Sequence, residues 1–218
     1  MTTKLVLVAL LCSGISTAVL AQSPHTHAHS FEDAQKWSKV FDDPKRDVWQ
    51  KPHEVLEALA LQPDAVVADV GAGTGYFTVR LAQRVPNGRV YAIDTEPQMV
   101  KHLASRARET GLNNVMAVLG TPDDPRIPAR ADVVLFVDVY HHIEKRERYF
   151  ANIARALKPG GRVAIVDFRM DAPQGPPRNA RIEPDQVKAE LKTAGYELAR
   201  EHAFLPYQYF LEFVRAKR

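Results

Sequence analysis

The run Ala65-Val66-Val67-Ala68-Asp69-Val70-Gly71-Ala72-Gly73-Thr74-Gly75-Tyr76 begins as a strand and ends as the first turn of a helix. Ala65 to Val70 is apolar apart from Asp69 and rich in β-branched valine, the pattern of a strand covered on both faces. From Tyr76 to Val85 the residues Phe77, Leu81 and Val85 fall on one helical face. Between strand and helix lie three glycines in five residues. Glycine turns with φ > 0 at little cost and lets a ligand approach the main chain where a Cβ would collide. Strand, glycine turn and helix in this order open a doubly wound α/β sheet, whose ligands sit at the carboxyl ends of the strands where the order reverses.

Working outward, the alternation of strand and helix continues. Strands are predicted at Arg89–Ile93, Val115–Leu119, Asp132–Val137 and Arg162–Val166. Glu96 to Thr110 reads as a helix with Met99, Val100, Leu103 and Ala107 at helical spacing, stopped by Gly111. Tyr149, Phe150, Ile153 and Leu157 mark the next helix, which Pro159-Gly160-Gly161 should end. After a Pro/Gly/Arg loop over 169–180 come a helix, Pro184 to Thr193, and two strands, Tyr196–Ala203 and Tyr207–Arg215. The link Phe204-Leu205-Pro206 permits a hairpin and no helical crossover. Upstream, a helix near Phe31–Phe41 is broken by Asp42-Asp43-Pro44, and Pro52 opens a second with Val55, Leu56, Leu59 and Ala60.

The glycine spacing and two acids narrow the ligand. A dinucleotide fingerprint reads Gly-x-Gly-x-x-Gly, whereas this loop reads Gly-x-Gly-x-Gly with Asp69 two residues ahead of it. That carboxylate repels a diphosphate and attracts a ligand bearing an ammonium and a sulfonium. Asp94 closes the second strand, where a carboxylate accepts hydrogen bonds from a ribose diol. Helix capping is the alternative role for both acids.

Taken together, the glycine loop, Asp94, the strand Asp132–Asp138 followed by Tyr140-His141-His142, and Leu157-Lys158-Pro159-Gly160-Gly161-Arg162 resemble the class I S-adenosylmethionine-dependent methyltransferases. Among these the chain is similar to small-molecule enzymes of the ubiquinone and menaquinone C-methyltransferase type, over residues 50–215. The resemblance implies a Rossmann-like, mostly parallel seven-stranded sheet of order 3-2-1-4-5-7-6, its last strand antiparallel. It implies that Gly71, Ala72, Gly73 and Gly75 border the methionine part of S-adenosyl-L-methionine and that Asp69 serves the amino group through water. Asp94 would hold the ribose hydroxyls, Thr95 and Met99 would flank the adenine, and Asp138 would face the methionine end and the acceptor. Where the family often has Gly-Asp, this chain has Gly120-Thr121-Pro122-Asp123-Asp124, so Thr121 or Asp123 would meet the adenine amine.

Methyl transfer from a sulfonium is an in-line displacement that needs alignment and exclusion of water, and a base only when the acceptor must lose a proton. His141 and His142, just beyond the fourth strand, are the candidate bases, with a scaffold role as the alternative. Tyr140 is a candidate pocket wall, and no metal site is expected from Asp138 and Asp167 because a third ligand is not evident. The stretch Pro206-Tyr207-Gln208-Tyr209-Phe210-Leu211 either closes over a hydrophobic acceptor or is core, and Trp37, Phe41 and Trp49 either cap the cofactor or pack on the sheet.

Composition sets the wider limits. The 218 residues carry a formal charge of +3 with no basic run interleaved with aromatics, which argues against a nucleic-acid partner. Lys4, the apolar run Leu5–Leu11 and the small residues Val19 and Ala21 have the parts of a secretory signal peptide cleaved after Ala21, leaving no stable membrane span. Cys12, the one cysteine, leaves with it, so arsenite methylation, which uses cysteines, is not expected. Residues 22–30 then form a polar linker whose His25, His27 and His29 alternate as a metal-binding tract or a plain tether. Residues 31–218 read as one methyltransferase domain, with a helical segment over 31–62. The expected address is the periplasm, and the small-molecule acceptor is left open. An exported methyltransferase-like binding protein without turnover and an NAD-dependent oxidoreductase are the competing readings.

Overall fold

The computed structural model describes Trp37, Val40 and residues 42–217. The signal segment, Cys12, the alternating histidines and Phe41 lie outside the described residues. Seven strands form one sheet: β1 (Val66–Val70), β2 (Arg89–Asp94), β3 (Val115–Leu119), β4 (Ala131–Val137), β5 (Leu157–Phe168), β6 (Tyr196–His202) and β7 (Gln208–Arg215). Their order is β3-β2-β1-β4-β5-β7-β6. β1 pairs in parallel with β2 and β4, and β4 with β5, whereas β7 runs antiparallel to both β5 and β6. The predicted topology is therefore the observed one, and the hairpin follows from the short link at Phe204–Pro206.

Helices accompany the strands: α1 (Arg46–Gln50), α2 (Pro52–Ala58), α3 (Tyr76–Arg84), α4 (Pro97–Glu109), α5 (Arg146–Ile153) and α6 (Pro184–Thr193), with a 3-10 turn at Tyr140–His142. Among the described residues no helix is long and apolar enough to cross a membrane. The strand period of two sorts β4 cleanly. Val134 and Phe136 join Phe150, Ile153 and Leu191 in one core, while Val133, Leu135 and Val137 join Leu56, Phe77 and Leu81 in the other. Both faces are covered, which is why β4 is apolar without a break from Val133 to Val137.

One local expectation is corrected. Leu157 begins β5 opposite Ala131 instead of ending α5, and a register shift between Ala131 and Val133 absorbs Pro159-Gly160-Gly161 as an irregularity at the strand's start. α1 lies between the break at Asp42-Asp43-Pro44 and the helix opened by Pro52, inside the helical segment expected over 31–62. Lys51, at φ +46°, separates it from α2, and Pro52 takes the first helical position, where a missing N–H costs nothing. α1 is the element that brings new side chains to the sheet's carboxyl edge.

Candidate active site

The strand order reverses between β1 and β4, and there the loop Gly71–Gly75 passes from β1 to α3. Gly71, Gly73 and Gly75 have φ of +70°, +55° and +91°. A Cβ at Gly71 would stand 2.3 Å from Cγ2 of Val139, so the close pass of the two loops requires glycine. The loop is stapled to β2: the N–H groups of Gly71 and Ala72 donate to the Ile93 carbonyl at 2.8 and 2.9 Å, and that of Gly73 donates to Asp94 Oδ2 at 2.9 Å. Within it the Thr74 hydroxyl is buried without a hydrogen-bond partner, a polar atom that asks for a ligand or water.

Three carboxylates gather at the neighbouring strand ends. Asp69, 3% exposed, accepts a 2.6 Å hydrogen bond from the Thr78 hydroxyl. Burial pushes its carboxyl up to about 6, with Asp94 adding to the rise and Thr78 and Arg46 opposing it. Burial also raises Asp94, against the N–H groups of Glu96, Gly73 and Thr95 that stabilise its charge. Asp138 has φ +59°, a left-handed conformation rare outside glycine and frequent where function holds strain. Its carboxyl is lifted to about 6 by burial, with Asp167 raising it and Arg46, His141 and Gln208 lowering it. Ionised, these groups form a negative basin of the kind that favours a cationic ligand over a diphosphate.

The other expected residues fall at different depths. Thr95 is exposed in the turn after β2, and Met99 is buried near the start of α4. Gly120 donates its N–H to the Asp94 carbonyl at 2.9 Å, which brings the start of the β3–β4 connection to β2. Thr121 closes a small turn with Asp124, while Asp123 is turned to the surface, 65% exposed and 3.4 Å from Lys145.

Beyond β4 the two histidines separate. His141 Nδ1 lies 2.9 Å from both carboxylate oxygens of Asp167, and its backbone N–H donates to Oδ2 of the same residue at 3.2 Å. Burial acts to lower the pKa of this imidazole, but the hydrogen bond and charge of Asp167, with the charge of Asp138, outweigh it and hold the pKa above the usual value. His142 is exposed, its ring centroid 4.1 Å from that of His141. The pair is thus one anchored imidazole and one at the surface.

Sequence reading singled out Trp49 of α1, but not the polar residues that the same helix brings to this edge. Arg46 Nη2 lies 3.2 Å from Asp138 Oδ2, and its guanidinium stands 4.4 Å from the centre of the Tyr76 ring. Gln208 bridges the buried amide of Gln50, at 2.9 Å, to the Asp138 carboxylate. Asp47 accepts from the Tyr76 hydroxyl and from Arg80, and Arg106 holds Asp42 at 2.9 Å and the Thr74 carbonyl at 2.8 Å. Residues 42–50 are therefore tied to the glycine loop and to β4 through charge. Trp49 packs at 5.5 Å against Phe168 and 6.2 Å against Tyr207, at the β5 and β7 ends. Tyr209, Phe210 and Leu211 are core, so of the C-terminal aromatic stretch Tyr207 is the ring that meets Trp49. No periodicity marks Arg46 or Gln208. Asp167 was legible as a strand-end acid, but its bond to His141 was not.

A family model described as a methyltransferase domain matches residues 67–161. The chain is 31% identical over 153 residues to an arsenite methyltransferase of Halobacterium salinarum, covering 63% of this chain and 39% of that protein. It is 30% identical over 132 residues to an uncharacterised methyltransferase of Bacillus subtilis, covering 60% of this chain and 71% of that one. The crystal structure of a SAM-dependent methyltransferase from Aquifex aeolicus superposes with a TM-score of 0.76 at 27% identity, over 83% of this chain and 97% of that chain. The chain spans less than half the length of several curated relatives that it matches.

Proposed function

The chain belongs to the S-adenosylmethionine-dependent methyltransferase family, and from that premise we propose that it moves a methyl group from this cofactor to a small, hydrophobic acceptor by in-line displacement. The observation that carries the reading is the set of three raised carboxylates around a left-handed glycine loop at the switch point. The residues present fit the group. Asp94 keeps lone pairs for a ribose diol after accepting from Gly73 and Glu96, the unpartnered Thr74 hydroxyl lies in the same loop, and Asp69 and Asp138 supply negative charge for a cation. When bound, the cofactor supplies a methyl group on a good neutral leaving group. The protein's task is to hold the acceptor in line and exclude water.

His141 is the group placed to take a proton from a protic acceptor. With Nδ1 donating to Asp167, its Nε2 is left as the basic nitrogen, the arrangement that a third group imposes on any oriented imidazole base. His142, at the surface, is assigned no chemistry. The acceptor is proposed as small and apolar because Trp49, Phe168 and Tyr207 wall the adjoining strand ends. The arsenite specificity of the Halobacterium relative is not carried over, since Cys12 is the one cysteine of the chain and lies in the proposed signal segment. Export to the periplasm, with cleavage after Ala21, belongs to the same proposal and rests on the pattern of residues 1–21. N-terminal sequencing of the fractionated protein tests it.

The test of the main reading is calorimetric titration with S-adenosylmethionine and with NAD, followed by transfer of tritium from labelled cofactor into a small-molecule extract. Binding of S-adenosylmethionine alone is expected, and Asp94→Ala should remove both binding and transfer. Unchanged affinity in that variant would refute the site.

A further inference from the structure

A second concave site lies away from the strands' carboxyl edge. The connection from β3 to β4 and the end of α5 enclose a cleft of about 440 Å³ lined by Arg126, Arg130, Asn152 and Arg155. Arg130 immediately precedes β4, and Arg155 immediately precedes the last residue before β5. The arginines therefore stand toward the amino ends of these strands, whereas the glycine loop leaves the carboxyl end of β1. Elsewhere the chain pairs many of its arginines: Arg46 with Asp138, Arg80 with Asp47, Arg106 with Asp42, Arg146 with Glu190 and Arg162 with Glu212. Among the described residues, the guanidiniums of Arg126, Arg130 and Arg155 have no such carboxylate. The one acid that lines the cleft, Asp124, spends Oδ1 on the Arg126 backbone N–H at 2.7 Å.

The backbone presenting these groups is set in advance. Pro122, Pro125 and Pro128 fix φ along the connection. Thr121 and Asp124 exchange backbone hydrogen bonds at 2.8 and 3.2 Å, and Lys145 at the head of α5 reaches Asp123. Arg126 itself is held at φ +53°, where a residue with a Cβ is rarely found. Three forked cations left without partners in one rigid concavity match the oxygens of a phosphate, which guanidinium binds through paired N–H donors. Pre-ordering lowers the entropy lost on binding.

We propose that this cleft binds a phosphate-bearing anion, and that it does so separately from the cofactor crevice. The shared chemistry is the phosphate, carried either by a soluble ligand or by a lipid headgroup. The full chain is tested at physiological salt in two arms: calorimetric titration with pyrophosphate, and co-sedimentation with phosphatidylglycerol/phosphatidylcholine vesicles against pure phosphatidylcholine. Binding in the first arm identifies a soluble phosphate, and binding in the second alone identifies a headgroup. The variant Arg126→Gln/Arg130→Gln/Arg155→Gln changes exposed side chains, so it should keep its circular dichroism and its cofactor affinity. It is expected to lose phosphate affinity by at least about tenfold, the order for charge-assisted hydrogen bonds. The matching triple lysine variant keeps the charge and should also bind more weakly. Absence of binding in both arms, binding unchanged by the glutamines, or full affinity with lysines, which would mean diffuse charge alone, each overturns the proposal.

Discussion

Replacing Asp69 by asparagine should make the protein more stable and its cofactor affinity poorer. The carboxyl is fully buried, and its rise from an ordinary 3.8 to about 6 means that the fold disfavours the ionised form. At about 1.4 kcal/mol per pH unit, that is a cost of about 3 kcal/mol at neutral pH. Asparagine removes the charge and can still accept from the Thr78 hydroxyl. Its amide N–H₂ lacks a built partner, which returns about 1 kcal/mol, for a net gain of about 2 kcal/mol. In a domain of this size that raises Tm by about 4–8 °C. The sign also fixes the pH dependence. A carboxyl whose folded pKa lies above its unfolded value contributes most below the unfolded value, and that contribution is lost as pH rises through the folded one. The gap between variant and wild type should therefore be small near pH 4 and open between about pH 4 and 6. Thermal unfolding followed by circular dichroism at pH 4.5, 6 and 7.5 reads the gap, and calorimetry reads the expected loss of S-adenosylmethionine affinity. A variant less stable than wild type at pH 7.5, or a gap that does not change with pH, would refute the argument that Asp69 is kept charged against the preference of the fold.

Other expectations follow from the same geometry. Asp167→Asn should lower the pKa of His141, because the carboxylate that outweighs burial is gone; histidine NMR titration reads it, and an unmoved resonance would detach Asp167 from the imidazole. Gly71→Ala should cost about 2–4 kcal/mol, from the left-handed φ and the collision with Val139. Urea unfolding measures it, and adding Val139→Ala should restore the packing share while leaving the φ share. Glu212→Gln should destabilise by about 2–4 kcal/mol, because the buried carboxylate holds Arg162 at 2.5 Å and His202 at 2.8 Å; a melting temperature equal to wild type would show the pair to be dispensable.

What the sequence determined by itself was whatever depends on near neighbours along the chain. The apolar run of β4, the helical faces of α3 and α4 and the short link before β7 each carry their own period or length, so the succession of elements could be read directly, while the strand order came with the family resemblance. The glycine loop and Asp94 were legible for the same reason, since turn conformation and strand-end position are local properties. Leu157 was misread because its apolar side chain suits the end of a helix as well as the start of a strand, and pairing with Ala131 settled the matter. The rest belonged to tertiary structure alone. Asp138 and Gln208 are 70 positions apart, Arg46 and Asp138 are 92, and His141 and Asp167 are 26; no local pattern encodes such meetings. Burial had the same origin. Asp69 and Asp123 are the same residue type, yet one is sealed against α3 with its carboxyl raised and the other stands in solvent beside Lys145. A side chain's charge state depends on the dielectric and the partners around it, and these exist only once distant segments have packed.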